Sequence, residues 1–162
     1  MFRRILVPID GSAPSKQGLE EAIALAKDQA ARLCLLHVVD ELVVTQGFDG
    51  TAYVPPGYIE DFIKALRDEG KKLLAKAEAK VRQRRVKVDT VLLEALGHHV
   101  ADLIVRHAKK WRADVIVLGT HGRRGLTRLV MGSDAELVVR ESPVPVLLVR
   151  SPFRARKPRR HR

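Results

Sequence analysis

The chain has 162 residues, 46% of them hydrophobic, which is typical of one globular domain. It has no charged start followed by an apolar run of roughly 7–15 residues, and its apolar stretches are strand-sized, so we expect neither a secretory signal nor a membrane helix. The net charge is +11, but the segment from Arg150 to Arg162 carries seven Arg or Lys and no acid, which leaves a net charge of only +4 on residues 1–149. The charge of the whole chain therefore does not make its folded body a nucleic-acid binder.

The single cysteine cannot form an internal disulfide. Cys34 lies in the apolar run Leu33–Val39, where a cysteine is usually a small buried hydrophobic residue. Together with the expected lack of a signal peptide, this favours a reducing, cytoplasmic location.

The first elements alternate between strand and helix. Arg4–Ile9 is an apolar run without polar alternation, as expected for a strand buried on both faces of a parallel sheet. Asp10–Ser12 ends it, Ser12 can cap the next helix, and Pro14 fits the first turn. The stripe of that helix is formed by Leu19, Ala22, Ile23, Ala26, Ala30 and Leu33. Leu33–Val39 is predicted as the second strand.

The middle of the chain contains a long segment without helical period, Asp40–Tyr58, which holds three glycines and two prolines. We predict a loop there. A second helix follows, with an apolar stripe from Phe62 to Val81 and a polar face rich in Lys and Arg that we interpret as a solvated face.

The second half continues the alternation. We predict strand three at Val86–Leu93, a third helix with the stripe Val100, Leu103, Ile104, Ala108 and Trp111, strand four at Val115–Leu118, a loop at Gly119–Met131, a short helix at Ser133–Glu141 and strand five at Pro145–Val149. Trp111 lies on the apolar stripe, so we expect a core anchor rather than a stacking platform.

This order predicts an α/β fold with a single doubly wound, five-stranded parallel sheet sandwiched by helices. In such sheets ligands bind beyond the carboxyl ends of the strands, where the strand order reverses. The candidate site is therefore built from Asp10 after strand one, the residues near Val38 in strand two, and the loop from Gly119 after strand four.

The segment Gly119–Ser133 has features that suit phosphate groups. Its glycines let the backbone turn sharply, and successive N–H groups can surround an anion. Gly132 and Ser133 open the next helix, whose N-terminus carries partial positive charge. Ser133 with Glu136 also forms a capping box, which stabilises a helix without any ligand. The chain has no P-loop motif, and its glycines do not follow G-x-G-x-x-G, so a Rossmann dehydrogenase is not indicated.

The pattern G-x2-G-x9-G-[ST], complete here as Gly119, Gly122, Gly132 and Ser133, resembles the nucleotide signature of the ATP-binding universal stress proteins. The opening Ile-Leu-Val-Pro-Ile-Asp10-Gly-Ser, Leu36-His-Val, Glu94-Ala-Leu-Gly and the stretch from Val144 to Val149 are similar to that family too. The resemblance covers about residues 2–150. It implies a Rossmann-like fold of the adenine nucleotide alpha hydrolase-like type.

The resemblance also implies a ligand and a site. The residues that it assigns to the nucleotide are Asp10, Val38, Gly119, Thr120, Gly122, Gly132, Ser133 and Asp134. Asp10 would serve the ribose or adenine side, Val38 would meet the adenine through its backbone, and Thr120 would lie beside the ribose and phosphates. The phosphates would be held by Gly122, Gly132, Ser133 and Asp134. The ligand would be ATP, or ADP or AMP, with Mg²⁺.

Family members commonly form homodimers through the last strand, here Val144–Val149, and act in stress tolerance or regulation. Residues 1–150 are therefore expected to form the nucleotide-binding domain. We expect residues 151–162 to be a basic, disordered tail because dense like charge prevents collapse. We also expect Asp40–Gly57 to be a mobile lid beside the nucleotide, with a disordered insertion as the alternative.

Other sites are not indicated. His98 and His99 are adjacent, so on a helix they would point apart, and no histidine pair has the spacing of a zinc helix. Ser12 and Ser15 follow a strand without a marked partner base and are interpreted as capping and turn residues. We therefore predict no catalytic and no metal-ligating residues.

The leading hypothesis is a nucleotide-binding regulatory or stress-response protein that hydrolyses ATP slowly or not at all. The alternatives are an ATP-hydrolysing enzyme on the same scaffold and a binder of nucleic acid or acidic surfaces that acts through the tail.

Overall fold

The computed structural model describes residues 1–41, 57–120 and 132–150, and these form one layered α/β unit. The strands are β1 (Arg4–Pro8), β2 (Arg32–Val39), β3 (Lys87–Glu94), β4 (Val115–Gly119) and β5 (Val146–Val149). The helices are α1 (Ala13–Gln29), α2 (Tyr58–Gln83), α3 (Val100–Trp111) and α4 (Ser133–Glu141). The predicted alternation of strands and helices is confirmed.

The five strands form one sheet in the order β3-β2-β1-β4-β5, with every neighbouring pair parallel. The predicted doubly wound parallel sheet is confirmed. β1 lies at the centre, and its residues Ile5, Leu6 and Val7 have no solvent exposure, which explains their unbroken apolar run. The strand order reverses between β1 and β4, so a crevice is expected at the carboxyl ends of these two strands.

Helices cover both faces of the sheet. On one face, Leu19 and Ile23 of α1 and Leu74 and Val81 of α2 pack on Val7 and its neighbours. On the other face, α3 and α4 pack on the side chains that point the opposite way, among them Leu6, Leu36 and Ile116. Successive residues of each strand therefore serve two different cores.

The start of α1 follows the predicted pattern. Ser12 is the N-cap, its hydroxyl accepts the N–H of Ser15 at 3.2 Å, and Pro14 lies in the first turn. The helix ends at Gln29, however, and Leu33 belongs to β2. Continuing the helical stripe to Leu33 was therefore wrong, because Ala30 adopts a left-handed conformation that ends the helix.

Three further expectations need correction. Tyr58, expected in the loop, is the first residue of α2, and Gly119, expected in the glycine loop, is the last residue of β4. His98 and His99 lie in the turn before α3 rather than on a helix. The proposed lid lies almost wholly at residues 42–56, outside the described residues, and so do the tail and residues 121–131.

Cys34 is fully buried, as predicted. Burial, aided by the charge of Asp89, raises the pKa of its thiol to about 12. Its Sγ lies 3.6 Å from Nε2 of His107, and partial burial together with Lys110 lowers the pKa of that imidazole. Both groups are therefore neutral at pH 7, which makes Cys34 an unreactive core residue.

Trp111 is half-buried and packs against the core beneath α3, so the anchor role is confirmed. The guanidinium of Arg4 forms a cation–π contact with its ring, with Cζ 4.5 Å from the ring centroid. In the described part of the chain, no helix combines the length and hydrophobicity needed to cross a membrane.

Arg112 ends α3 with a φ of 55°, in the left-handed region that favours glycine. We expect Arg112→Gly to raise the free energy of unfolding by about 1 kcal/mol. A Cβ makes the left-handed conformation unfavourable, and glycine has none. Urea denaturation measures the change. Arg112→Ala is the matched control, since alanine keeps the strain, and an equal gain in both variants would contradict this explanation.

Candidate functional site

At the carboxyl edge of the sheet, the helices that follow β1 and β4 turn to opposite faces. α1 follows β1 and packs on the core face that contains Val7, whereas α4 follows β4 and packs on the face that contains Leu6. The crevice between the ends of β1 and β4 is therefore not roofed by either helix, and it is bordered by the β1–α1 turn, the end of β2 and the N-terminus of α4.

The β1–α1 turn holds Asp10 in a fixed position. Its Oδ1 accepts the N–H of Ser12 at 2.9 Å, and its own N–H donates to the hydroxyl of Ser15 at 3.2 Å. Gly11 between them has a φ of 82°, a conformation that other residues rarely adopt. The half-buried carboxylate is thus oriented at the edge before any ligand binds.

Val38 presents its backbone toward this crevice. The register of β1 with β2 ends at the pair Pro8 and Leu36, and the N–H of Ile9 donates to the carbonyl of Leu36 at 2.8 Å. In a parallel strand the N–H and C=O groups of alternate residues face the same neighbour. The polar backbone groups of Val38 therefore face the β1 side, beyond the point where β1 has ended.

His37 fixes the end of β1 against β2. Its side chain is buried, and Nδ1 donates to the carbonyl of Ile9 at 2.7 Å. The imidazole lies against Gly70 of α2, where an added Cβ would be only 2.6 Å from Cδ2. This positioning role was not predicted, because nothing in the sequence shows which helix residue covers a histidine in a strand.

Gly119 lets β4 approach the N-terminus of α1. A Cβ at this position would lie 2.7 Å from the carbonyl carbon of Pro14 and 2.8 Å from the N atom of Ser15. Both are backbone atoms and cannot move aside easily. Because Ser15 also holds Asp10, this close contact brings the ends of β1 and β4 together.

Thr120 closes the glycine-rich segment. Its N–H donates to the carbonyl of Val149 at 3.0 Å, and its carbonyl accepts the N–H of Gly132 at 3.0 Å. Residues 120 and 132 are therefore neighbours, although eleven residues, 121–131, separate them in sequence. Gly122 lies in that interval, outside the described residues, whereas Gly119, Thr120 and Gly132 lie close together.

The N-terminus of α4 has no side-chain cap. The N-cap residue is Gly132 rather than Ser133, and no side-chain hydrogen bond caps the helix. The first bond within the helix runs from the N–H of Glu136 to the carbonyl of Gly132 at 2.9 Å, so the earlier N–H groups have no acceptor inside the helix. The predicted capping box is therefore wrong, because Ser133 already lies inside the helix.

Ser133 and Asp134 are both exposed in the first turn of α4. Partial positive charge at a helix N-terminus favours a carboxylate such as that of Asp134 and equally favours a phosphate. Seven of the eight predicted residues thus lie at or near one edge of the sheet. Within the described residues, no group of three or more His, Cys, Asp or Glu side chains could hold a metal ion by itself.

The end of β3 is tied to α2 by an ion pair. Nε of Arg67 lies 2.7 Å from Oε1 of Glu94, and this hydrogen bond lowers the pKa of the Glu94 carboxyl. The pair is open to solvent, so its contribution to stability is small. It fixes the side of α2 that borders the end of the sheet.

We expect Gly119→Ala to lower the free energy of unfolding by about 2 kcal/mol or more, because its Cβ would overlap backbone atoms of α1. Gly18→Ala in α1 is the matched control. The same substitution there meets atoms no closer than 3.5 Å and improves helix propensity by about 1 kcal/mol. Thermal and urea denaturation compare the two, and equal effects would contradict the role of the close contact.

The sequence of this chain is similar to those of a known protein family. The sequence model of the Universal stress protein family matches residues 1–150. The universal stress protein YxiE of Bacillus subtilis is 38% identical over 151 residues, which are 93% of this chain and all of YxiE.

Solved structures share the fold. The structure of protein MJ0577 of Methanocaldococcus jannaschii has a TM-score of 0.80 at 25% identity, with 94% of this chain and 98% of that chain covered. The universal stress protein of Archaeoglobus fulgidus in complex with dAMP has a TM-score of 0.61 at 24% identity, with 91% and 97% covered. At this identity, the similarity to the Archaeoglobus protein shows a shared fold only.

Proposed function

Since this chain belongs to the universal stress protein family, we propose that it binds an adenine nucleotide, ATP, between the carboxyl ends of β1 and β4 and acts in stress response or its regulation. The observation that carries the proposal is the hydrogen bond from Gly132 to Thr120, which brings the uncapped N-terminus of α4 to the crevice. The Archaeoglobus protein, which shares the fold, was solved in complex with dAMP.

The nucleoside is proposed to lie across the ends of β1 and β2. The backbone groups of Val38 would serve the adenine edge, and the carboxylate of Asp10 would accept a hydrogen bond from the ribose or the base. The turn already holds this carboxylate, through Ser12 and through Ser15, so binding would require little reorganisation.

The phosphates are proposed to lie against Gly132 and Ser133. At Gly132 there is no side chain to occupy the position in front of the helix, and the N–H groups of the first turn can donate to phosphate oxygens. Mg²⁺ usually binds through one or two carboxylates together with the phosphates, and Asp134 has the chemistry for this. Gly122 would complete the phosphate contacts.

We further propose a regulatory protein with at most slow ATP hydrolysis, located in the cytoplasm, whose domain spans residues 1–150. A site made of backbone N–H groups and glycines suits retention of a nucleotide more than its turnover, because rapid phosphoryl transfer needs a positioned base or a cation that stabilises the leaving charge.

We expect Gly132→Val to abolish ATP binding, because a branched side chain would occupy the phosphate position. The backbone itself should tolerate valine, since Gly132 has φ −60° and ψ 145°. Ser133→Ala is the control and should retain most of the affinity, because its N–H remains. Asp10→Ala should weaken ATP and adenosine alike, whereas Gly132→Val should affect only ligands that carry phosphates.

Calorimetric titration with ATP and Mg²⁺ tests these variants, and wild-type protein should also gain about 2.7 kcal/mol of stability at a hundredfold excess over Kd. If the wild type shows neither heat nor a melting shift at millimolar ATP, the proposal is wrong.

We also propose a homodimer through Val144–Val149. β5 is one of the two edge strands of the described sheet, the other being β3. Leu147 on β5 and Val139 on α4 are 43% and 42% exposed. An edge strand leaves backbone groups that a two-fold copy can pair.

Analytical ultracentrifugation should therefore show a dimer at micromolar concentration, and Leu147→Lys should shift it to monomer because a charge would be placed in the interface. Leu96→Lys is the control, since Leu96 is 69% exposed but lies far from β5 in the loop after β3. A wild-type protein that is only monomeric would refute the dimer.

A further inference from the structure

The amino-terminal edge of the sheet, opposite the proposed nucleotide site, carries an unusual alignment of positive charge. The register places Arg4 of β1 beside Arg32 of β2, and Arg32 beside Lys87 of β3. In-register residues on adjacent parallel strands point to the same face and lie about 4.8 Å apart at the backbone. Like charges in such direct opposition are destabilising. We refer to these three residues as the cationic row.

Little within the described residues offsets the cationic row. Asp89 reaches Arg32, with 3.6 Å between Nε and Oδ2. Arg4 lies on Trp111, and its Nε is buried without a hydrogen-bond acceptor. No described carboxylate lies within 4 Å of the ammonium group of Lys87. Among the described residues, the pair of Arg32 with Asp89 is thus the one ion pair that the side chains of the cationic row form.

Beside the row, the end of α2 adds further cations around an open groove of about 390 Å³. This basic groove is lined by Arg32, Arg82, Arg85, Val86, Lys87 and Val88. Arg82 is held by Glu78, with 2.7 Å between Nη2 and Oε1. Arg85 is exposed, and no described carboxylate forms an ion pair with it. Two cations of the groove, Arg85 and Lys87, therefore form no ion pair with any carboxylate in the described part of the chain.

The residues that line the groove indicate which class of anion it can bind. The described residues that line it contribute guanidinium, ammonium and valine side chains but no aromatic ring on which a nucleic-acid base could stack. Several separate cations bind a ligand with several negative charges better than they bind a single small anion. We propose that the basic groove binds a chain of linked phosphates without bases, that is, linear inorganic polyphosphate. Since β2 has eight residues, this site lies about 25 Å from the crevice at the other end of the strands.

The test measures the affinity of full-length protein for linear polyphosphate by calorimetry at two salt concentrations. Arg85→Gly is the first variant, because Arg85 has a φ of 59° and glycine relieves that strain. This variant should melt at a higher temperature and yet bind more weakly, so that loss of binding cannot be loss of fold.

The double variant Arg85→Gly/Lys87→Gln should lose about tenfold or more in affinity and flatten the dependence of log K on log salt by about 1.5, as expected for two lost phosphate contacts. Two controls remove the same charge elsewhere, Lys72→Gln/Lys76→Gln on the exposed side of α2 and Arg156→Gln/Lys157→Gln in the tail. Both should change the affinity less than about threefold if binding depends on the residues of the basic groove rather than on net charge.

Four results would overturn the proposal. An equal loss in the α2 control would mean attraction by net charge alone, and a larger loss in the tail variant would place the polyanion on the tail. Single-stranded RNA that binds as tightly and depends equally on Arg85 and Lys87 would show that bases are accepted. Saturating ATP should leave polyphosphate binding unchanged, so competition would assign it to the nucleotide site instead.

Discussion

The close approach of Gly119 to Pro14 and Ser15 is the constraint on which the carboxyl edge depends. It sets β4 against the first turn of α1 at a separation that leaves no space for a Cβ. Ser15 in turn holds the N–H of Asp10, and Thr120, next to Gly119, bonds to both Val149 and Gly132. One backbone contact between two elements thus positions the turn after β1, the start of α4 and the end of β5.

The sequence was sufficient to predict the architecture, because the buried parallel strands are unbroken apolar runs and the helices have clear apolar stripes. It was also sufficient to predict that Asp10, Val38 and Gly132 meet at one edge, since parallel strands end on the same side. Element ends were less predictable. Leu33 was placed wrongly because Ala30, a left-handed residue that is not glycine, ends the first helix. Tyr58 was placed wrongly because α2 begins directly after Gly57.

The parts of the site that could not be predicted depend on contacts between distant segments. The pairing of His37 with Ile9, and its packing on Gly70, needs the path of α2 across the sheet. The capping box failed for a local reason. The chain turns into α4 one residue earlier than the S-x-x-E pattern suggests, so Gly132 rather than Ser133 is the cap, and a residue without a side chain stands before the helix.

The central position of β1 has a consequence for how the protein is made. β1 pairs with β2 nearby in sequence, but its other neighbour is β4, and the pair Ile5 and Val115 spans 110 residues. Such long-range pairing makes folding slow, because a large loop must close first. During synthesis the first three strands can assemble while β1 still exposes an open edge. The crevice between β1 and β4 therefore does not exist until nearly the whole chain has left the ribosome.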